Sequence, residues 1–252
     1  FFGTSAISVL SLQKLEEVGL LPQLIVTQPD RPQGRKLELT PPPVKVWAEE
    51  NNIPYIQPET LKEIPPELEG EWDVFIVVSY GKILKPHILD IPERGVLNMH
   101  PSLLPKFRGP SPIQTAILED EKETGVTIML LDAQMDHGPI LAQANIEIDD
   151  WPPKGSELHD VLGELGGELL AETIVPWING DIQAEEQDHD AATFCKIIKK
   201  EDGHIDLNDH PYTNYLKIQA LDGWPGTYFF ARKGEKEIRV KITEAHYLED
   251  IL

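Results

Sequence analysis

The sequence predicts an α/β fold with a mostly parallel central sheet and a short or truncated C-terminal β appendage. Three observations carry that prediction. Short apolar or β-branched runs alternate with amphipathic stretches over residues 1–180, the pattern of successive βαβ units. Val74–Val78 (VFIVV) is apolar without alternation, as expected of a parallel strand covered on both faces. Beyond Gly223 two β-rich runs flank Lys233-Gly234-Glu235 and read as a hairpin. The roughly 30 residues there are too few to close a barrel.

Taken in order, Phe1–Leu20 reads as a strand remnant, a turn at Gly3-Thr4-Ser5, and a helix with Ile7, Leu10, Leu12 and Leu15 near helical spacing. The strand is expected to begin before Phe1. The turn lacks G-x-G-x-x-G, so a nicotinamide cofactor is not expected. Leu24–Thr27 is the second strand, and Pro29–Pro43 reads as a long polar loop. Val44–Asn51 begins a helix, Ile53–Tyr55 is a short strand, and Tyr80–Leu84 follows the Val74–Val78 strand. Ligands of open α/β sheets sit at the carboxyl ends of strands, which makes Tyr80–Leu84 a candidate wall.

Val96–Gly109 (VLNMHPSLLPKFRG) is the stretch around which the chain is organised. Its apolar run ends in Asn98 and His100, which share a side of an extended segment, and Pro101 and Pro105 then stop regular structure. Ser111–Leu118 reads as a helix. Val126–Leu131 and Ile140–Ile148 read as a strand couple around a turn carrying Asp132, Asp136 and Gly138-Pro139. Ser156–Ile174 is an amphipathic helix, Glu185–Asp190 a solvated acidic loop, and Pro211–Leu221 a helix; Tyr228–Phe230 and Ile238–Ile242 form the terminal hairpin. The expected organisation is a main domain over 1–180, a linker and helix over 181–222, and a small β unit over 223–252.

Of the 252 residues, 40% are hydrophobic and 26% charged, ordinary for a globular chain. The formal charge of −21 repels polyanions globally, so any nucleic-acid contact must be local. A single cysteine, Cys195, excludes an internal disulfide and a thiolate-built zinc site, and it fits a reducing cytoplasm with no metal. No run approaches the roughly 18 apolar residues of a membrane span.

Asn98–Pro105 (NMHPSLLP), followed by the Asp-Xaa-Gly turn at Asp136–Gly138, resembles the motif of the folate-dependent formyltransferases. The likeness runs from Phe1 to about Leu248. It implies a Rossmann-like formyltransferase domain, with 10-formyltetrahydrofolate as co-substrate and Asn98, His100 and Asp136 as catalytic residues. Formyl transfer passes through a tetrahedral intermediate, for which an amide can stabilise the oxyanion and an imidazole can move protons. A carboxylate beside the imidazole orients it and favours its charged form. The resemblance further implies that the folate is held by Tyr80, Gly81, Lys82, Ile83 and Leu84, by Ser102, Leu103, Leu104 and Pro105, and by Asp132, Ala133, Gln134 and Met135.

Thr27–Glu50, Val77–Leu84 and Lys199–Leu207 resemble the tRNA-formylating branch of that family. That branch implies the acceptor end of initiator methionyl-tRNA as partner, touched by Arg31, Arg35 and Lys36, with Lys45 also available. A monomer with no membrane contact is expected. Gly34-Arg35-Lys36-Leu37-Glu38 departs from the branch's usual Gly-Arg-Gly-Lys-Lys-Leu by being shorter and placing an acid beside the basic residues. A second basic group (Arg232, Lys233, Lys236, Arg239, Lys241) lies on the terminal hairpin. Formylation of an amino sugar nucleotide or another small amine, or hydrolysis of the formyl folate, would use the same three catalytic residues and stays open at this level.

Overall fold

In the computed structural model, which describes residues 1–33 and 37–248, a seven-stranded sheet has the order β5-β2-β1-β6-β7-β8-β9. Its strands are β1 (Phe2–Gly3), β2 (Ile25–Val26), β5 (Tyr55–Ile56), β6 (Phe75–Val78), β7 (Val96–His100), β8 (Thr124–Leu130) and β9 (Ile140–Ile146). The run from β5 to β7 is parallel, and β8 and β9 complete the sheet in antiparallel fashion. The helices are α1 (Ala6–Glu17), α2 (Pro43–Glu50), α3 (Pro86–Leu89), α4 (Pro112–Leu118), α5 (Gly155–Asn179) and α6 (Pro211–Ala220).

The unbroken apolar run of β6 is divided by the pleat. Phe75 and Val77 enter one buried cluster, with Phe2, Val26 and Val96; Ile76 and Val78 enter the other, with Leu97, Met99, Leu158 and Leu162. Each such side chain contributes roughly 1.5–3 kcal/mol through its removal from water, and the double covering is what made the strand readable. Helix α5 lies closely along α1, because a Cβ at Gly163 would meet the Leu10 side chain at 2.7 Å and one at Gly167 the Ser11 Cα at 2.8 Å.

Two hairpins stand apart from this sheet. β10 (Thr227–Lys233) and β11 (Lys236–Ile242) pair antiparallel around Gly234, whose φ of +65° suits a residue without Cβ. The expected polar loop over 29–43 is instead a ribbon of β3 (Arg31–Gln33) and β4 (Glu38–Thr40), with Arg31 opposite Thr40. Leu39 on this ribbon is 68% exposed. Without a buried face, no alternation of apolar and polar residues marked the segment as strand.

Candidate active site

β7 ends with all five residues buried, and alternation places Asn98 and His100 on the side of Val96. His100 Nε2 lies 3.0 Å from the carbonyl oxygen of Phe107. A carbonyl can only accept, so Nε2 carries the proton and Nδ1 is the nitrogen left for chemistry. Nδ1 faces Asp136 Oδ2 at 3.8 Å, within reach of its charge but beyond a hydrogen bond. The same Oδ2 accepts the Gly109 N–H at 2.7 Å. Asn98 is buried, yet its side-chain amide has no hydrogen-bond partner among the described residues. Its donors are uncommitted where Asn98, His100 and Asp136 all border one cavity of about 650 Å³.

Asp136 reaches this position on the β8–β9 turn, at a φ of +49° that costs an ordinary residue strain but that aspartate tolerates. Gly138 closes the turn against β8, where a Cβ would collide with the Leu130 carbonyl oxygen. Asp132, Ala133, Gln134 and Met135 line the cavity from the same turn, and Asp132 also binds the Gln134 N–H and, at 2.6 Å, His137 Nδ1.

Tyr80, Gly81, Lys82, Ile83 and Leu84 form the opposite wall, in unequal ways. The Tyr80 ring packs edge-on against Phe2, and burial pushes its hydroxyl, which has no hydrogen-bond partner among the described residues, up to about 12. Its carbonyl, which accepts from Thr4 Oγ1 and Gln28 Nε2, fixes the loop. Leu84 is core, whereas Ile83 is 80% exposed at the rim. The Lys82 ammonium donates to the Pro58 and Glu59 carbonyls, and desolvation lowers its pKa. Lys82 therefore ties the loop to its neighbour.

Ser102, Leu103, Leu104 and Pro105 are not among the cavity-lining residues. The chain turns beneath His100 there, with Ser102 Oγ donating to the Lys106 carbonyl, the Leu104 N–H donating to Thr127 Oγ1, and Gln143 Nε2 donating to the Leu104 carbonyl. These bonds set the path of the turn that returns the Phe107 carbonyl to His100. Arg31 is exposed and pairs with Glu59 at 3.0 Å; Lys45 is held by Asp30 at 2.8 Å, and Arg35 and Lys36 lie outside the described residues.

Sequence reasoning assigned no role to several residues that the fold brings to the site. Pro110, Pro112, Ile113 and Gln114 at the start of α4, His159 on α5, and Ile197 complete the cavity wall. Thr193 and Cys195 bind the 105–111 turn by backbone pairing on both sides of Arg108. The carboxylates between Glu185 and Asp190 are exposed as expected, but Gln187 in their midst is buried. Among the described residues no group of three or more His, Cys, Asp or Glu is arranged to hold a metal, and no helix is long and apolar enough to cross a membrane.

Residues 3–174 match the formyl transferase family model, residues 197–251 match the formyl transferase C-terminal domain, and the chain belongs to the folate-dependent formyltransferase family. Methionyl-tRNA formyltransferase of Chloroflexus aurantiacus is 45% identical over 238 residues, covering 92% of this chain and 76% of that protein. A 4-N formyltransferase from Francisella tularensis shares the fold at 20% identity, with a TM-score of 0.73 over 100% of this chain and 98% of that one. The fold is also that of an N-formyltransferase from Helicobacter canadensis solved with folinic acid and dTDP-3-aminofucose, at 22% identity and a TM-score of 0.68, over 86% of this chain and 78% of that one.

Proposed function

We propose that this chain transfers the formyl group of 10-formyltetrahydrofolate to the α-amine of initiator methionyl-tRNA, acting as a cytoplasmic monomer. One observation carries the chemistry: His100 has one nitrogen capped by a carbonyl and the other turned to Asp136, beside an Asn98 amide with no partner among the described residues. When the amine attacks the formyl carbon, the carbonyl oxygen becomes an oxyanion and Asn98 donates to it. The amine must lose a proton and N10 of the folate must gain one as the C–N10 bond breaks. His100 Nδ1 is the exchangeable position for that transfer, acting as a base when the ring is neutral and as an acid when it is charged. Asp136 Oδ2, 3.8 Å from Nδ1, places a carboxylate beside that nitrogen.

A cavity of about 650 Å³ suits a folate head group. Exposed Ile83, Met135 and Ile197 would be covered by an apolar ligand, and the loops 79–84 and 131–135 offer backbone groups to a pterin edge. The Helicobacter canadensis enzyme holds folinic acid on the same fold. For the acceptor, Arg31 is free to exchange a weak exposed pair for a phosphate, and Arg35 and Lys36 follow it in sequence. Lys45 is committed to Asp30 and leaves that set. On the terminal hairpin Arg239 stacks over the Tyr228 ring at 3.5 Å beside half-exposed Phe230, a surface that combines charge with an aromatic face.

The test offers labelled formyl donor to the full chain with methionyl-tRNA, free methionine and an amino sugar nucleotide in parallel. Formyl-methionyl-tRNA is expected as the dominant product. Equal or faster transfer to the sugar nucleotide, or loss of the formyl group without an acceptor, overturns the acceptor assignment.

A further inference from the structure

We infer that Gln187 is a positioning residue for the catalytic carboxylate: it fixes the Asp136 turn, and buried Arg108 fixes Gln187. The inference rests on the catalytic reading of Asp136. Gln187 Nε2 donates to the carbonyls of Asp136 at 3.0 Å and Gly138 at 2.7 Å, spanning the bend that carries the carboxylate. Its Oε1 accepts from Arg108 Nε at 3.1 Å and Nη2 at 2.6 Å. The amide has no alternative orientation, because carbonyls only accept and a guanidinium only donates. All four hydrogen-bonding capacities of the side chain are filled, and Gln187 and Arg108 are 5% and 3% exposed.

The network is rigid and close to the chemistry. Arg108 directly follows Phe107, whose carbonyl holds His100 Nε2, so the same short segment bears on both members of the proton-transfer pair. Arg108 Nη2 also lies 2.9 Å from His189 Nδ1, and the His189 ring stacks on His137 at 4.1 Å, next to Asp136 in sequence. The Asp136 turn is thus gripped twice by residues 187–189: at its carbonyls and through a ring stack. Asp136 sits at φ +49°, which aspartate tolerates, and the two Gln187 hydrogen bonds hold the turn on both sides of His137. None of Gln187, Arg108 and His189 lines the cavity, so their effect on turnover passes through the Asp136 turn and, by way of Phe107, through His100.

The experiment compares Gln187→Leu and Gln187→Glu with wild type and Asp136→Asn in the full chain. Single-turnover formyl transfer, folate affinity and Tm are measured for each. Gln187→Leu removes both arms; Gln187→Glu keeps an acceptor for Arg108 but turns a carboxylate toward the Asp136 and Gly138 carbonyls. Both variants are expected to lose at least tenfold in the single-turnover rate while folate affinity stays within about threefold. Unchanged turnover, or equal losses in turnover and folate affinity, overturns the inference. Should Gln187→Leu fail to fold, Gln187→Glu decides; failure of both makes Gln187 a determinant of folding and overturns the inference as well. Asp136→Asn separates the two layers: if it leaves turnover intact the catalytic reading fails, and if it abolishes turnover while the Gln187 variants behave as wild type only the positioning role fails.

Discussion

The cavity at the ends of β6 and β7 and the two exposed ribbons, β3–β4 and β10–β11, are built from opposite materials. Around the cavity the framework is committed, with His100 Nε2 bound to a carbonyl, the Asp136 backbone to Gln187 and Gln187 to a buried guanidinium, leaving the Asn98 amide and His100 Nδ1 open. On the ribbons, charged side chains stand in water and pair loosely, as with Arg31 and Glu59, which are 57% and 71% exposed. On the proposed reading, chemistry that needs fixed atoms sits where packing fixes them, and contact with a polyanion sits where charges can rearrange. The two regions should therefore fail differently: the first in turnover at constant affinity, the second in affinity at constant turnover.

The sharpest test of that difference is His100→Ala, with the largest expected effect. Loss of the proton-transfer group should lower the rate by roughly 10²–10⁴-fold, with KM for methionyl-tRNA nearly unchanged. Asp136→Asn should follow the same pattern, since it keeps shape and removes charge; measured folate binding should persist. A proportional rise in KM would show that these residues hold substrate and would dissolve the comparison. Next comes Asn98→Ala, expected to cost about 10²–10³-fold in turnover if its amide supports the oxyanion. Rate measurement in single turnover checks it, and an effect confined to KM would remove the oxyanion role.

The same contrast governs what could be read in the sequence. β6 and β7 were legible because burial on both faces leaves an apolar run, and Asn98 and His100 stood out by interrupting one. The β3–β4 ribbon was not, since it buries no face that could impose a period of two. Ser102–Pro105 follow His100 so closely that a shared cavity wall was the natural expectation, yet the chain dives under the imidazole there. Gln187 was hidden among exposed acids, and its part in the site exists only through contacts with Arg108 and the Asp136 turn, both distant in sequence. Periodicity records burial of a face; a single buried polar side chain leaves no such trace.

On the ribbon side, Arg239→Ala should raise KM for methionyl-tRNA by a few-fold while leaving maximal turnover unchanged. If Arg239 meets one phosphate, the log–log dependence of affinity on salt should become shallower by about 0.7–0.9. Binding measured from 50 to 300 mM salt, concentrations chosen to span roughly the physiological Debye length, distinguishes this from simple loss of the Tyr228 stack, which would lower affinity with the slope intact.

The smallest effect is expected at the base of the β3–β4 ribbon, and its sign is fixed by linkage. Hydrogen bonds from Gln57, and then from the Lys45 ammonium, hold the Asp30 carboxyl below its ordinary range. A group whose pKa is lower in the folded chain adds stability above its unfolded value of about 3.9 and forfeits it as the pH falls through the folded value. Asp30→Asn should therefore melt slightly below wild type at neutral pH, and the gap should close as the pH falls below about 4. The difference between the two chains is the quantity to follow, because acid unfolding of the other carboxylates is common to both. Turnover at saturating substrate should be the same in both, since no bond from Asp30 reaches His100 or Asp136. A gap that stayed constant through the acid range would mean that Asp30 acts through packing, and a drop in maximal turnover would show that the ribbon and the cavity are not independent.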